Sequence, residues 1–141
     1  MLKIKIKRLK SEAVLPSYAH PGDVGLDLRS LEDYALQADE RRVFFLGFAI
    51  DFETGYAAII KDRGSLPVRG GVHVMGGVYD AGYRGEYNVI LINLGSEVYQ
   101  IKKGDKLAQL VIFPVVIAEL EEVEQLSESA RGEGRFGSTG R

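Results

Sequence analysis

The amino-acid sequence predicts an all-β protein, a distorted jelly-roll or antiparallel β-barrel. Apolar residues recur with period two, turn-forming residues interrupt them at short intervals, and helical periodicity is nearly absent. Seventeen glycines in 141 residues supply the punctuation.

Taken in order, Leu2, Ile4 and Ile6 alternate with Lys3, Lys5 and Lys7, which describes a strand with one wet face. Val24, Leu26 and Leu28 repeat the device and leave Asp23, Gly25 and Asp27 opposite. In "RRVFFLGFAIDF", Phe44, Leu46, Phe48, Ile50 and Phe52 share one face while Val43, Phe45 and Ala49 share the other, so both faces are expected to be covered. Further strands are expected at 56–60, 72–74, 77–80, 87–93, 98–101, 106–113 and 115–123. Turns at "DFETG", "VRGG", "DAG", "LGSE" and "KKGD" separate them. In "ELEEVEQLSES", Leu120, Val123 and Leu126 fall three apart, which is the one competing helical signal. After Leu126 apolar residues almost vanish, and the division expected is a body of residues 1–126 and a glycine-rich tail of residues 127–141.

Composition narrows the function. Eighteen Lys+Arg against twenty Asp+Glu give a formal charge of -2, so no global positive field would hold the protein on a nucleic-acid backbone. The absence of cysteine removes disulfides, thiolate metal sites and thiol nucleophiles. The longest apolar run, Leu110 to Ala118, is interrupted by Pro114 and falls short of the ~20 residues a membrane helix needs. A soluble, cytoplasmic protein with no membrane or nucleic-acid partner is expected.

Four stretches carry more than packing requires. "HPGDVGLDL" sets Asp23 and Asp27 on the face opposite the aliphatic residues, which by itself describes a solvated face. In "KDRGSLPVRGG", Arg63 offers a guanidinium fork suited to phosphate oxygens, and the small Gly64 and Ser65 admit a ligand against the backbone. "GGVYDAGYRGE" would present the Asp80 carboxylate and the Tyr83 ring at one hairpin tip, with Ala81 and Gly82 in the turn. In "GDKLAQLVIFP", Gln109 shares a strand face with Leu107 and Val111, and its amide either satisfies neighbouring backbone or points into a site.

Together and in this order, "PGDVGLDL", "RGSL", "GVYDAGYRGE", "GDKLAQL" and the terminal "RGEGRFGSTG" resemble the five motifs of the trimeric deoxyuridine triphosphatases, the dUTPase family. They spread over Pro21 to Gly140. The resemblance implies a dUTPase-like (β-clip) fold with a flexible C-terminal tail, and hydrolysis of dUTP to dUMP and pyrophosphate with Mg2+ held mainly by the triphosphate and water. By matched position it implies Asp80 as the base that activates water against the α-phosphorus, Tyr83 as the surface beneath the deoxyribose, and Asp27 as a magnesium ligand through water. It implies Arg63, Gly64, Ser65 and Gln109 at the phosphates. Arg131, Gly137, Ser138 and Thr139 would close on the γ-phosphate, and Phe136 would stack over uracil. The hairpin backbone between Val72 and Val78, including Val74 and Gly77, would read the base, because cytosine reverses the donor and acceptor pattern of uracil and would leave buried peptide groups unpaired.

This chain departs from the family pattern twice. Gly64 stands where a serine usually follows the arginine, with Ser65 one place later, and Arg135 stands where glycine is general. From Gln125 to Phe136 an extended chain could reach ~36 Å, enough to serve a neighbouring subunit's site, and the resemblance implies a homotrimer with shared sites. Two other functions stand beside hydrolysis: dCTP deamination on the same general fold, and a noncatalytic nucleotide-binding jelly roll.

Overall fold

The computed structural model describes residues 1–140. Its chain forms eleven strands and one short helix: β1 (Lys5–Arg8), β2 (Gly25–Arg29), β3 (Tyr34–Leu36), β4 (Arg41–Phe45), β5 (Phe48–Asp51), β6 (Tyr56–Lys61), α1 (Ser65–Gly70), β7 (Val72–Met75), β8 (Val78–Asp80), β9 (Asn88–Asn93), β10 (Tyr99–Ile101) and β11 (Lys106–Pro114). All strand pairs are antiparallel. They assemble into four small sheets, β1-β5, β10-β3, β2-β11-β6-β8 and β4-β9-β7, as a distorted jelly roll and not a closed barrel. Among the described residues no helix is long and apolar enough to cross a membrane.

The period-two pattern decides which side chains go inward. On β9, Val89, Leu91 and Asn93 are buried while the residues between them are only partly covered. Asn93 keeps its place by donating its amide to the carbonyls of Leu36 and Glu97 at 3.0 and 2.8 Å, so the one amide in this core face is hydrogen-bonded as burial requires. Phe44, Phe48, Leu91 and Leu110 meet in the common core. Removal of their apolar surface from water, at about 25 cal/mol per Å², is the main force holding the small sheets together.

Several expectations are corrected. The "RRVFFLGFAIDF" run is two strands, because at Leu46–Gly47 the chain leaves one sheet for another: Leu46 donates to the Tyr87 carbonyl, and the Gly47 carbonyl accepts from Leu9 and Lys10. Its second face is covered only in part: Ala49 is buried, whereas Val43 and Phe45 are exposed within the chain. The expected strand at 115–123 does not form. Pro114 has no N–H to extend the ladder, and after Val115 donates to the Gly55 carbonyl at 2.8 Å the chain runs without regular structure. Strand β3 was not expected, since three residues are too few for a periodic signal, and neither was α1. That helix begins without a side-chain cap and ends at Gly71 in the left-handed conformation. It is held by the burial of Leu66, and six residues lie below the length at which amphipathic periodicity declares itself.

Strand β6 is central, with β11 on one edge and β8 on the other. Gln109 lies opposite Lys61 near one end of it, and Asp80 lies opposite Ala57 near the other. On β2, Gly25 is required by close approach: a Cβ there would sit 2.0 Å from Gln109 Oε1 and 3.0 Å from its Cβ. We expect Gly25→Ala to lose ~1–3 kcal/mol by overpacking, measured as a lowered urea midpoint with unchanged slope; an unchanged midpoint would show that Gln109 moves aside freely.

Candidate active site

The first cluster is built around the β8–β9 turn. Asp80 ends β8, and its carbonyl accepts the Tyr83 N–H at 3.1 Å, which closes the turn with Ala81 and Gly82 at its centre. Arg84 braces this turn by donating to the carbonyls of Ala81 (2.5 Å) and Tyr83 (3.1 Å) and to Asp51 Oδ1 (2.7 Å). On the other flank Glu86 accepts the Gly47 N–H at 2.9 Å and pairs with Lys10 at 3.2 Å. The turn is thereby pinned to both ends of β5, and the Asp80 carboxylate and Tyr83 ring project from a braced support.

Asp80 and Tyr83 face one cavity of about 270 Å³, which Val74, Gly77, Tyr79 and Asn88 also line. The backbone between β7 and β8 forms its far wall. Ile60 donates to the Gly77 carbonyl at 2.7 Å. Gly77 has φ of 102°, and a Cβ on it would lie 2.9 Å from the Ile60 side chain, so only glycine lets the turn press this closely on β6. Val74 donates its N–H to Asp62 Oδ1 at 2.6 Å, while the other Asp62 oxygen lies 2.5 Å from His73 Nδ1. A carboxylate thus takes the place of a neighbouring strand along β7.

The second cluster gathers at the opposite end of β6. Asp27 is buried, at 8% exposure, with Lys106 Nζ 2.7 Å from one oxygen and Arg63 Nε 3.3 Å from the other. This corrects the expectation of a solvated face at Asp27, which Arg63 and Lys106 cover, while Asp23 is exposed as expected. A buried carboxylate persists only when such partners offset its lost hydration. Gln109, left open between two roles by sequence, donates Nε2 to the Asp62 carbonyl at 2.8 Å and so shapes the loop that carries Arg63. Arg63, Ser65, Arg29 and Lys106 border a shallow depression on this surface.

The two clusters do not share a cavity. Asp80 is opposite Ala57, four residues and ~13 Å of strand before β6 ends at Lys61, and Arg63 lies two residues beyond that end. The tail is a third, separate place. Phe136 is 92% exposed with φ of 50°, and Arg135 Cζ lies 4.6 Å from its ring centre, so the departure at Arg135 makes a cation–π contact. Arg131 donates to the Gly134 carbonyl at 2.8 Å. Ser138 lies against Gly134, and Gly137 and Gly140 close a turn around Ser138 and Thr139. The last residue of the expected tail, Arg141, lies outside the described residues.

Sequence reasoning missed Lys106, Asp62 and Tyr79. Each had a signal: Lys106 precedes the Leu-Ala-Gln run, Asp62 precedes Arg63, and Tyr79 precedes Asp80. None could be matched to its partner across the chain. For a divalent ion the described residues offer no convergence of three His, Asp or Glu side chains, only the Asp27 carboxylate beside a cationic surface. That donor set fits Mg2+ held chiefly by phosphate oxygens and water, with one carboxylate in support.

The family model described as dUTPase matches residues 11–140. The chain is 46% identical over 140 residues to the deoxyuridine 5'-triphosphate nucleotidohydrolase of Clostridium tetani, across 98% of this chain and 97% of that one. It is 44% identical to the enzyme of the same name from Nautilia profundicola, across 99% and 100%. Among solved structures, a variant of the Staphylococcus bacteriophage 80alpha dUTPase with dUpNHpp superposes with a TM-score of 0.92 at 28% identity, covering 99% of each chain. A phage phi11 dUTPase variant described with a structural Mg(II) ion gives 0.80 at 28%, covering 87% of this chain and 97% of that one. With its motifs, its jelly-roll sheets and these relatives in agreement, this chain belongs to the dUTPase family.

Proposed function

We propose that the chain hydrolyses dUTP to dUMP and pyrophosphate through sites shared in a homotrimer. The observation that carries the reading is the convergence of Asp80, Tyr83 and the Val74–Gly77 backbone on one cavity. In an antiparallel pair both polar groups of a residue point to the same side. With the Val74 N–H directed to Asp62, its carbonyl also turns away from β9. That carbonyl and the Gly77 N–H would offer an acceptor and a donor to uracil, which presents N3–H between two carbonyls. Tyr83 would lie beneath the deoxyribose. Asp80 would take a proton from water as its oxygen attacks the α-phosphorus, the P–O bond to the β-phosphate breaks, and pyrophosphate leaves with those electrons. A positioned base of this kind contributes ~10²–10⁴-fold.

The separation along β6 supports shared sites. Asp62 and Arg63 stand at the base-reading end of the chain's own cavity, whereas a triphosphate would leave at the Asp80 and Tyr83 end. The phosphate contacts from Arg63, Gly64, Ser65 and Gln109 would therefore come from a second chain. Asp27 would support Mg2+ through water, and the ion when bound would neutralise charge on the phosphate oxygens. Beyond Pro114 the exposed Val116, Ile117 and Leu120 find no cover in their own core, which supports an arm that crosses to a neighbour. Residues 127–141 would act as its flap. Phe136 would stack on uracil, and Arg131, Gly137, Ser138 and Thr139 would close on the γ-phosphate. Ordering costs ~1–2 kcal/mol per residue, so closure would require substrate.

Four outcomes are expected. With magnesium and each of dUTP, dCTP, dTTP and UTP, pyrophosphate should form from dUTP alone and no ammonia from dCTP; Asp80→Asn should reduce turnover at least a hundredfold with the melting temperature and analogue binding nearly intact. Equal loss of thermal stability would make Asp80 structural instead. Mixing Asp80→Asn with Arg63→Ala chains after co-refolding should restore part of the activity, because some sites then draw both residues from intact copies; no recovery would place both residues in one chain's site. Finally, a non-hydrolysable dUTP analogue should slow proteolysis between residues 127 and 140 at least tenfold, and equal cleavage with and without it would remove the flap from the mechanism.

A further inference from the structure

The ring of Tyr83 does not stand alone. Tyr79, one residue before Asp80, lies with its ring centre 5.4 Å from that of Tyr83 at 57°. Behind it Tyr87 is stacked on Tyr79 at 4.0 Å and 14°, and Phe48 backs Tyr87 at 5.8 Å. The Tyr79 hydroxyl is locked from both sides by one residue: it donates to the Asn88 carbonyl at 2.9 Å and accepts the Asn88 N–H at 3.1 Å. Burial holds its ionisation above the ordinary phenol range, so it remains a neutral donor. Tyr83 has one polar tether, its hydroxyl donating to the Glu86 carbonyl at 3.1 Å. A tether at the hydroxyl end leaves the tilt of the ring to whatever touches its face and edge.

We propose that Tyr79 is a positioning residue for sugar selection: backed by Tyr87 and fixed by Asn88, it sets the tilt of Tyr83 and so the room beside C2′ of a bound nucleotide. The proposal rests on the reading of Tyr83 as the surface beneath the deoxyribose. A stop that refuses a single hydroxyl must not yield by even a fraction of an ångström, and a ring free to rock on its tether would yield. Tyr87 also meets Tyr83 directly, at 6.0 Å and 50°, so the partly exposed Tyr83 is the outer member of a close-packed aromatic cluster in which Tyr79 is its nearer neighbour and the fully buried Tyr87 the root. Tyr79 also lines the cavity, unlike Tyr87, so its place is not that of a filler alone. Aromatic pairs in stacked and tilted arrangements attract one another beyond their buried area, so a flat ring holds its neighbour in place as an aliphatic contact of equal area does not.

The experiment compares kcat/KM for dUTP and UTP in the full-length protein and in Tyr79→Leu, Tyr79→Phe and Tyr83→Leu. Tyr79→Leu removes the flat support and is expected to lower the dUTP-to-UTP ratio at least tenfold, while Tyr79→Phe, which keeps the ring and loses only the Asn88 bonds, should hold it within threefold. Should Tyr79→Leu fail to fold, Tyr79→Met fills a similar volume without a flat face and should show the same loss. An unchanged ratio in a folded Leu or Met variant overturns the proposal, since a filler role would depress both substrates equally. If Tyr83→Leu itself leaves the ratio unchanged, the sugar-packing reading fails; if Tyr83→Leu relaxes it and Tyr79→Leu does not, only the support role falls.

Discussion

An extended strand cannot bring its own ends together, and β6 imposes that constraint on this protein. Paired on both edges, it has no freedom to bend, so the Arg63 loop leaves one end while the Asp80 turn pairs at the other. The base-reading turn is bound to the Arg63 end through Gly77 with Ile60 and Val74 with Asp62. Under the proposed reading a nucleotide in this cavity would have its base toward its own chain's cationic loop and its phosphates away from it. On that reading the phosphates would be met by a second chain, which is the ground for the proposed trimer.

The electrostatics follow the same division. Among the described residues no cation pairs with the Asp80 carboxylate. Around Asp27 two cations converge, and Arg63 and Lys106 offset the charge of the carboxylate. Gln109 and Asp62 hold this loop through a single side-chain to backbone bond, with Gly25 left bare to admit the amide. An ionic cluster of this kind costs hydration to assemble and adds little to stability, so its persistence suits a binding surface more than a structural tie.

At the other end the support is aromatic. Tyr83, Tyr79, Tyr87 and Phe48 make a continuous aromatic cluster from the cavity wall to the core, with Tyr83 touching both Tyr79 and Tyr87, and the Arg84 and Glu86 anchors hold the turn on which it depends. Rigid packing is what small steric distinctions require. Within the cluster the buried Tyr87 hydroxyl has no partner among the described residues, a cost that the packing of its large flat ring offsets.

Much of this was legible in the chain itself. Alternating residues such as Val89 and Leu91 predicted strands because side-chain direction in a strand is a local property, and the Asp80–Tyr83 turn followed from Ala-Gly chemistry over four residues. The five motifs carried the family, since they are contiguous runs. Local rules failed where three or six residues made an element, as in β3 and α1, and where Pro114 ended a strand that the aliphatic pattern continued. Only the tertiary structure decided that Asp27 is buried between Arg63 and Lys106, that Asp62 caps Val74, and that Tyr79 stands under Tyr83. Sequence determines which face a side chain takes; which distant side chain it meets there depends on strand pairing and register, and these are set by the burial of the whole core.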